Sequence, residues 1–212
     1  YLESLSKEHK KAKRKGINNL DKYLDGVLQN CVRGATENFE VMKFRSAVQY
    51  TAFQLLNELR YYVERNGGVK NCNKILLKEI LSVMIKLLAP FTPHICEELW
   101  QSIGNRGFVS LESWPTYDQK KVDKNILGLE SILKKTQEDL NQVLKLAGKK
   151  KNAYLYFVTD KEFDYFKESL QYLRSLFNFK KIELYKVSDK NKHDPENRAS
   201  RAKYGKPAIY LE

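Results

Sequence analysis

The sequence predicts a mixed α + α/β architecture: a bundle of four helices, then a small βαβαβ unit with a mostly parallel three-stranded sheet. Through about residue 115, apolar side chains recur every three or four positions, the period of helices buried along one face. Past residue 150 the pattern changes, and residues 153–158 are apolar on both alternating faces, as in a strand enclosed within a sheet. Helical patterns separate such strands, and that alternation favours parallel pairing through right-handed crossovers.

Residues 1–16 carry Lys7, Lys10, Lys11, Lys13, Arg14 and Lys15 before Gly16. This basic run reads as a solvated helical connector or, alternatively, as a strip facing phosphates. A first long helix is expected over 17–39, with Leu20, Leu24, Val27 and Cys31 on one side and Asn18 or Asn19 as cap. The second covers 43–65, where Phe44, Val48, Thr51, Leu55, Leu59 and Tyr62 keep the helical period; Asn66-Gly67-Gly68 stops it. Arg45, Gln49 and Arg60 fall on the flank away from that stripe. The third covers 72–89 through Leu77, Leu81, Met84 and Leu88.

A sharp corner follows. Pro90 is expected to push Ala89 out of helical dihedrals. Thr92 then caps the next helix with its hydroxyl, and Pro93 takes the first helical position. That fourth helix, 93–103, presents Ile95, Leu99 and Ile103 beside Trp100, with Glu97 and Glu98 near its positive end. Residues 108–111 read as extended, and Trp114-Pro115 as an aromatic plug followed by a break.

Residues 116–124 are polar and place a domain boundary there. A helix over 125–147 follows, with Ile126, Leu129, Leu133, Leu140 and Leu144 apolar, and it exits through Gly148-Lys149-Lys150-Lys151. After the strand at 153–158, Thr159 and Glu162 form a possible capping box for a helix bearing Phe163, Phe166, Leu170, Leu173 and Phe177. A strand at 182–187, a short helix opened by Asp194-Pro195 and ended by Gly205, and a strand at 207–211 complete the chain. The expected division is a basic connector (1–16), a helical bundle (17–117), a linking helix (118–148) and a small α/β domain (149–212).

The net charge of +12 is unevenly spread. Residues 17–65 hold six basic and six acidic side chains, whereas residues 1–16 and 148–212 hold most of the excess. A polyanion such as nucleic-acid phosphate would explain that pattern, and so would a lysine-rich solubilised surface. No apolar run approaches the roughly 20 residues of a membrane helix. Cys31, Cys72 and Cys96 are odd in number and show no C-x-x-C spacing, which implies reduced thiols in a cytoplasmic protein. The absence of a signal peptide and the first residue, Tyr1, imply a piece of a longer chain. His9, His94 and His193 are isolated, and neither a phosphate loop, a dinucleotide fingerprint nor metal-ligand spacing occurs. No catalytic or metal site and no cofactor is therefore expected in these residues; His94 reads as a packing or hydrogen-bonding residue, and Trp100 and Trp114 read as core.

Two motifs say more. Leu87 to Trp100 reads L-L-A-P-F-T-P-H-I-C-E-E-L-W, and Phe39 to Gln49 reads F-E-V-M-K-F-R-S-A-V-Q. Both resemble the anticodon-binding helical bundle of the class I aminoacyl-tRNA synthetases for leucine, isoleucine, valine and methionine. The Thr-Pro-His form and the ending K-P-A-I-Y-L-E look most like the archaeal or eukaryotic-type leucyl enzymes. Cys96 stands where many relatives have a smaller residue.

The resemblance implies a parent ligase that activates leucine with ATP and Mg²⁺ and esterifies it to tRNA. That chemistry would lie before Tyr1, since the H-I-G-H and K-M-S-K-S signatures are absent. Its implied partners are tRNA(Leu) and the catalytic and editing parts of the same chain, in a monomer without membrane association. Leucyl enzymes generally do not read the anticodon, so the bundle would hold the backbone and the C-terminal appendage would read the long variable arm. The tRNA-binding candidates are Lys149, Lys150, Lys151, Arg198, Arg201, Lys203 and Lys206, with Arg45 and Arg60 as a second line. Arg198 and Arg201, three apart on a short helix, share a face and can each grip a phosphate with a guanidinium fork. The rivals are the tail of an isoleucyl or valyl-type enzyme and a protein-docking helical module that touches no RNA. A small Rossmann-like enzyme over 150–212 is weak because no catalytic constellation accompanies its strands.

Overall fold

The computed structural model describes residues 1–148 and 150–212. They form two compact units, Tyr1–Lys124 and Asn125–Glu212. The molecule is mostly helical with one small three-stranded sheet.

In the first unit, helix α1 (Leu2–Glu8) and the 3-10 turn His9–Lys11 precede the long helix α2 (Asn19–Glu40). In this basic segment Leu5, Ser6, His9 and Ala12 are buried, while Lys10, Lys11, Lys13 and Lys15 are exposed. Asn18 caps α2 reciprocally, its side chain accepting from the Asp21 amide while the Asp21 carboxylate accepts from the Asn18 amide. Leu24, Val27, Leu28, Cys31 and Val32 then form a buried stripe.

The expected single second helix is interrupted. Helix α3 (Phe44–Val48) passes through a π-helical turn, Gln49–Gln54, into α4 (Leu55–Arg65). Such a turn inserts an extra residue and rotates what precedes it. Ala47, Thr51, Leu55, Leu59 and Tyr62 are buried, while Phe44 is displaced towards solvent. The turn carries Tyr50 across Gly34 of α2, where a Cβ would meet the ring at 2.6 Å.

Asn73 caps α5 (Lys74–Leu88), accepting from the amides of Ile75 and Leu76, and α6 (Pro93–Ser102) follows the corner. Three expectations at this corner are corrected. Ala89 keeps helical dihedrals (φ −53°, ψ −39°). Helix α5 ends because Pro90 has no amide to donate, and the Phe91 and Thr92 amides both turn back to the Leu88 carbonyl. The Thr92 hydroxyl also faces back, to that carbonyl and to the Cys96 thiol, and does not cap α6. Ile95 is exposed; Cys96, Leu99, Trp100 and Ile103 form the buried side.

Residues 108–111 are not extended: Val109–Leu111 is a 3-10 turn. The Glu97 carboxylate accepts from the amides of Val109 (2.8 Å) and Ser110 (3.1 Å) and holds that turn. Trp114 is half-buried, donating to the Thr36 hydroxyl at 2.8 Å with its ring 5.4 Å from Phe39.

In the second unit, helix α7 (Lys124–Ala147) buries Leu133 and Leu140 against one face of the sheet. Strand β1 (Asn152–Phe157) lies between β2 (Lys181–Lys186) and β3 (Ala208–Leu211). Helices α8 (Asp160–Glu168) and α9 (Leu170–Phe177) add Phe166 and Leu173 to the core over Leu155 and Phe157. Thr159 caps α8 at the Glu162 amide, but the reciprocal half of the expected box is missing. The Glu162 carboxyl group instead accepts from the Gly205 amide at 2.7 Å.

The sheet is mixed, not mostly parallel: β1 pairs with β2 in parallel and with β3 antiparallel, Tyr156 facing Ala208 and Ala153 facing Leu211. The connection explains the direction. A parallel β3 would need a crossover back along the whole strand, usually a helix of a dozen residues. Between β2 and β3 the only regular helical element among the described residues is the 3-10 turn Arg198–Arg201. At about 2 Å of rise per residue it is too short to make that return. The chain therefore enters β3 at the end of the sheet where it left β2. Its loop covers the second sheet face, packing Ala199 on Tyr154 and Tyr156.

Candidate nucleic-acid interface

Two groups of cations in the second unit lie at opposite ends of strand β1. The first group follows from parallel pairing. Asn152 is the register partner of Lys181, so the residues entering β1 and β2 are neighbours. The Lys180 amide donates to the Lys151 carbonyl at 2.7 Å. Lys150, Lys151 and Lys180, all exposed, share a cleft of about 790 Å³ with Leu144, Phe177 and Phe179. The two phenylalanine rings stack with centroids 5.7 Å apart, and Phe179 is buried beneath. Lys149 lies outside the described residues. Lys181 differs from its neighbours in being paired with Glu183 at 2.9 Å.

The second group lies where β3 begins. Arg198, Arg201 and Lys206 line a shallow cavity of about 260 Å³ with Asp139, Gln142 and Pro207. Asp194 positions the two arginines by accepting from the Arg198 and Ala199 amides, which starts the 3-10 turn. At three residues per turn, Arg198 and Arg201 lie one above the other. Arg198 also forks onto Glu196 at 2.8 and 3.0 Å. That pair is exposed and weak, so a phosphate can compete for the guanidinium. Lys203 belongs to the following turn, bonded backbone to backbone with Lys206.

The sequence candidates thus fall into two sets. The antiparallel course of β3 puts Ala208 opposite Tyr156, so Lys206, just before the strand, lies at the far end of β1 from Lys151. Six residues of strand, roughly 20 Å, separate the groups. Arg45 and Arg60 sit in the helical unit; Arg45 is exposed, and the Arg60 guanidinium rests 4.8 Å over the Tyr1 ring. Lys180, Phe177 and Phe179 escaped sequence reasoning. The available signal was that parallel strands bring their preceding residues together, here two lysine-rich entries.

Cys31, Cys72 and Cys96 are buried and free, and burial pushes the thiols of Cys31 and Cys72 up to about 12. Thiols so shifted remain protonated and unreactive. His94 is exposed on α6 and does not serve as a packing residue. Among the described residues, no three His, Cys, Asp or Glu side chains converge, and no helix is long and apolar enough to cross a membrane.

A family model described as the anticodon-binding domain of tRNA ligase matches residues 21–187, and the chain belongs to that family. Its similar relatives include leucine–tRNA ligases. The one from Pyrococcus furiosus is 33% identical over 147 residues, covering 68% of this chain and 15% of that protein. That from Archaeoglobus fulgidus is 37% identical over 139 residues, covering 66% and 14%. That from Methanocaldococcus jannaschii is 36% identical over 149 residues, covering 70% and 15%. The chain therefore spans about 15% of the length of these relatives. Among solved structures, a LeuRS of Agrobacterium radiobacter K84 in ternary complex with tRNA and LeuAMS aligns with a TM-score of 0.48 and 17% identity, covering 86% of this chain and 23% of that one.

Proposed function

We propose that these residues form the tRNA-holding part of a leucine–tRNA ligase. In this reading the helical unit is an anticodon-binding-type four-helix bundle, and the second unit grips the RNA backbone at both ends of its sheet. The observation that carries it is the convergence of Lys150, Lys151 and Lys180 in one cleft, with Arg198, Arg201 and Lys206 gathered at the other end of β1. Lys149 and Lys203 extend the two groups along the chain, and Arg45 and Arg60 supply second-line contacts from the helical unit.

Contacts of this kind orient a nucleic acid but carry little sequence information. Selectivity would come from the unpaired bases of the long variable arm of tRNA(Leu), because RNA is read in loops where bases are unstacked. Activation of leucine by ATP with Mg²⁺, and its transfer to tRNA, would be the work of catalytic and editing parts outside these 212 residues. The parent enzyme would act as a cytoplasmic monomer.

Filter binding of a leucine tRNA transcript over a salt series tests the reading, with an isoleucine tRNA transcript as comparator. Affinity should fall linearly on a log–log plot, with a slope of about −0.9 per phosphate neutralised. The leucine transcript should bind more tightly. A chain that binds neither transcript at about 50 mM salt, where phosphate contacts are strong, overturns the proposal.

A further inference from the structure

We propose that Tyr204 is a stacking platform for an unpaired RNA base, and that buried Glu162 holds it in position; this rests on the RNA-binding reading above. Lys203 and Lys206 close a tight turn around it, each donating its amide to the other's carbonyl at 3.0 Å. Gly205 supplies the left-handed step at φ 75°. The turn leaves Tyr204 78% exposed, a large ring with little of its surface covered.

The turn is anchored. The Gly205 amide donates to Glu162 Oε1 at 2.7 Å, and Glu162 is only 1% exposed. Its other oxygen, Oε2, is buried without a hydrogen-bond partner. The Glu162 carboxyl group thereby holds the backbone of the turn that carries the Tyr204 ring into solvent.

The surroundings say what that is. Lys203 and Lys206 flank the ring in the chain, and Lys206 opens onto the cavity of Arg198 and Arg201. Aromatic faces set among cations are how proteins hold single-stranded nucleic acid, the cations tracking phosphates while the ring takes a base. A base within a duplex has no free face to offer, so the occupant is an unpaired base of a loop.

The test uses the 212-residue chain, a leucine tRNA transcript and a fully paired RNA duplex. Tyr204→Ala should weaken tRNA binding roughly 5- to 150-fold, the range of one lost base stack, without changing the salt slope. Tyr204→Phe should bind like the native chain, and duplex affinity should not move in either variant. Lys203→Ala should instead lower the slope by about one. Glu162→Ala should weaken tRNA binding as Tyr204→Ala does, and Glu162→Gln, which keeps an acceptor for Gly205, should restore it. Should Glu162→Ala fail to fold, the exposed Tyr204 pair still decides the matter. Native affinity in Tyr204→Ala, or an equal loss on the duplex, overturns the stacking role and leaves the phosphate contacts standing. An absence of RNA binding by the native chain overturns the reading beneath it.

Discussion

Arg14 forks onto Asp21, its Nη1 2.5 Å from one carboxylate oxygen and its Nη2 2.6 Å from the other. Asp21 is only 2% exposed, and it accepts further bonds from the Tyr62 hydroxyl (2.6 Å) and the Asn18 amide (2.9 Å). The Tyr62 hydroxyl in turn accepts from the Asn73 amide at 2.9 Å. Burial, reinforced by the bond to Asp21, raises that hydroxyl well above the ordinary tyrosine range, so it stays a donor. One carboxylate thus ties the N-terminal segment to the start of α2, the end of α4 and the cap of α5.

Removing the arginine strands a buried charge. Arg14→Ala should destabilise the chain by about 3 kcal/mol, the lower end for breaking a buried pair from one side. Arg14→Lys should recover only part of that, because an ammonium cannot match both oxygens at once. Urea unfolding measures both, and a loss below about 1 kcal/mol for the alanine variant, the scale of a surface pair, would refute the central role of this contact.

His9 makes the same segment sensitive to pH. Its ring is 5% exposed and its Nδ1 donates to the Ser6 carbonyl. Burial lowers its pKa, the nearby Lys10, Lys78 and Lys74 add to that, and the bond to Ser6 opposes it. The folded chain therefore takes up the proton less readily than the unfolded one. Stability is present above the unfolded value of about 6.5 and is lost as the pH falls below it. Melting temperature should drop between about pH 7.5 and 5.5, and His9→Asn, which keeps a donor but does not titrate, should reduce the drop. An identical drop in that variant would point to other groups.

Much of the fold was legible because it is locally written. The stripes of α2 and α5, the helix break at Pro90 though not its capping, and the enclosed β1 all follow from neighbouring residues and their periods. What was missed depends on distant pairs. The π turn is tied to Tyr50 meeting Gly34, and no window over 43–65 contains that partner. The direction of β3 is invisible in its own residues, since Ala208–Leu211 reads alike in either sense. That one error hid the site's layout: an all-parallel sheet would have gathered Lys206 with Lys150 and Lys151, where the antiparallel strand parts them.

The contact between Gly34 and Tyr50 can be tested alone. A methyl at Gly34 would meet the Tyr50 ring at 2.6 Å, closer than packed atoms approach. Overpacking of this kind costs about 1–3 kcal/mol, against a gain of up to about 1 kcal/mol from replacing glycine within a helix. Gly34→Ala should therefore be destabilising in the native chain and stabilising in a Tyr50→Ala background. A double-mutant cycle by thermal unfolding reports the sign change, and the same sign in both backgrounds would show that the ring swings aside freely.

The two cation groups differ in how their members should combine. Lys151 and Lys180 are neighbours across the parallel ladder and face one cleft, so a single phosphate can engage both. Because the two share that phosphate, each single alanine substitution should leave the salt slope for tRNA binding nearly unchanged, and the double variant should lower it by about one. The double loss should differ from the sum of the singles, because neighbours sharing a ligand do not act independently. Lys151 and Arg201 lie at opposite ends of β1, beyond the screening length of roughly 10 Å at moderate salt. Their losses should add to within about 0.5 kcal/mol. Filter binding across a salt series measures all of these. Additive losses for Lys151 and Lys180 combined with strong coupling between Lys151 and Arg201 would mean that the RNA follows a path other than one along the sheet from end to end.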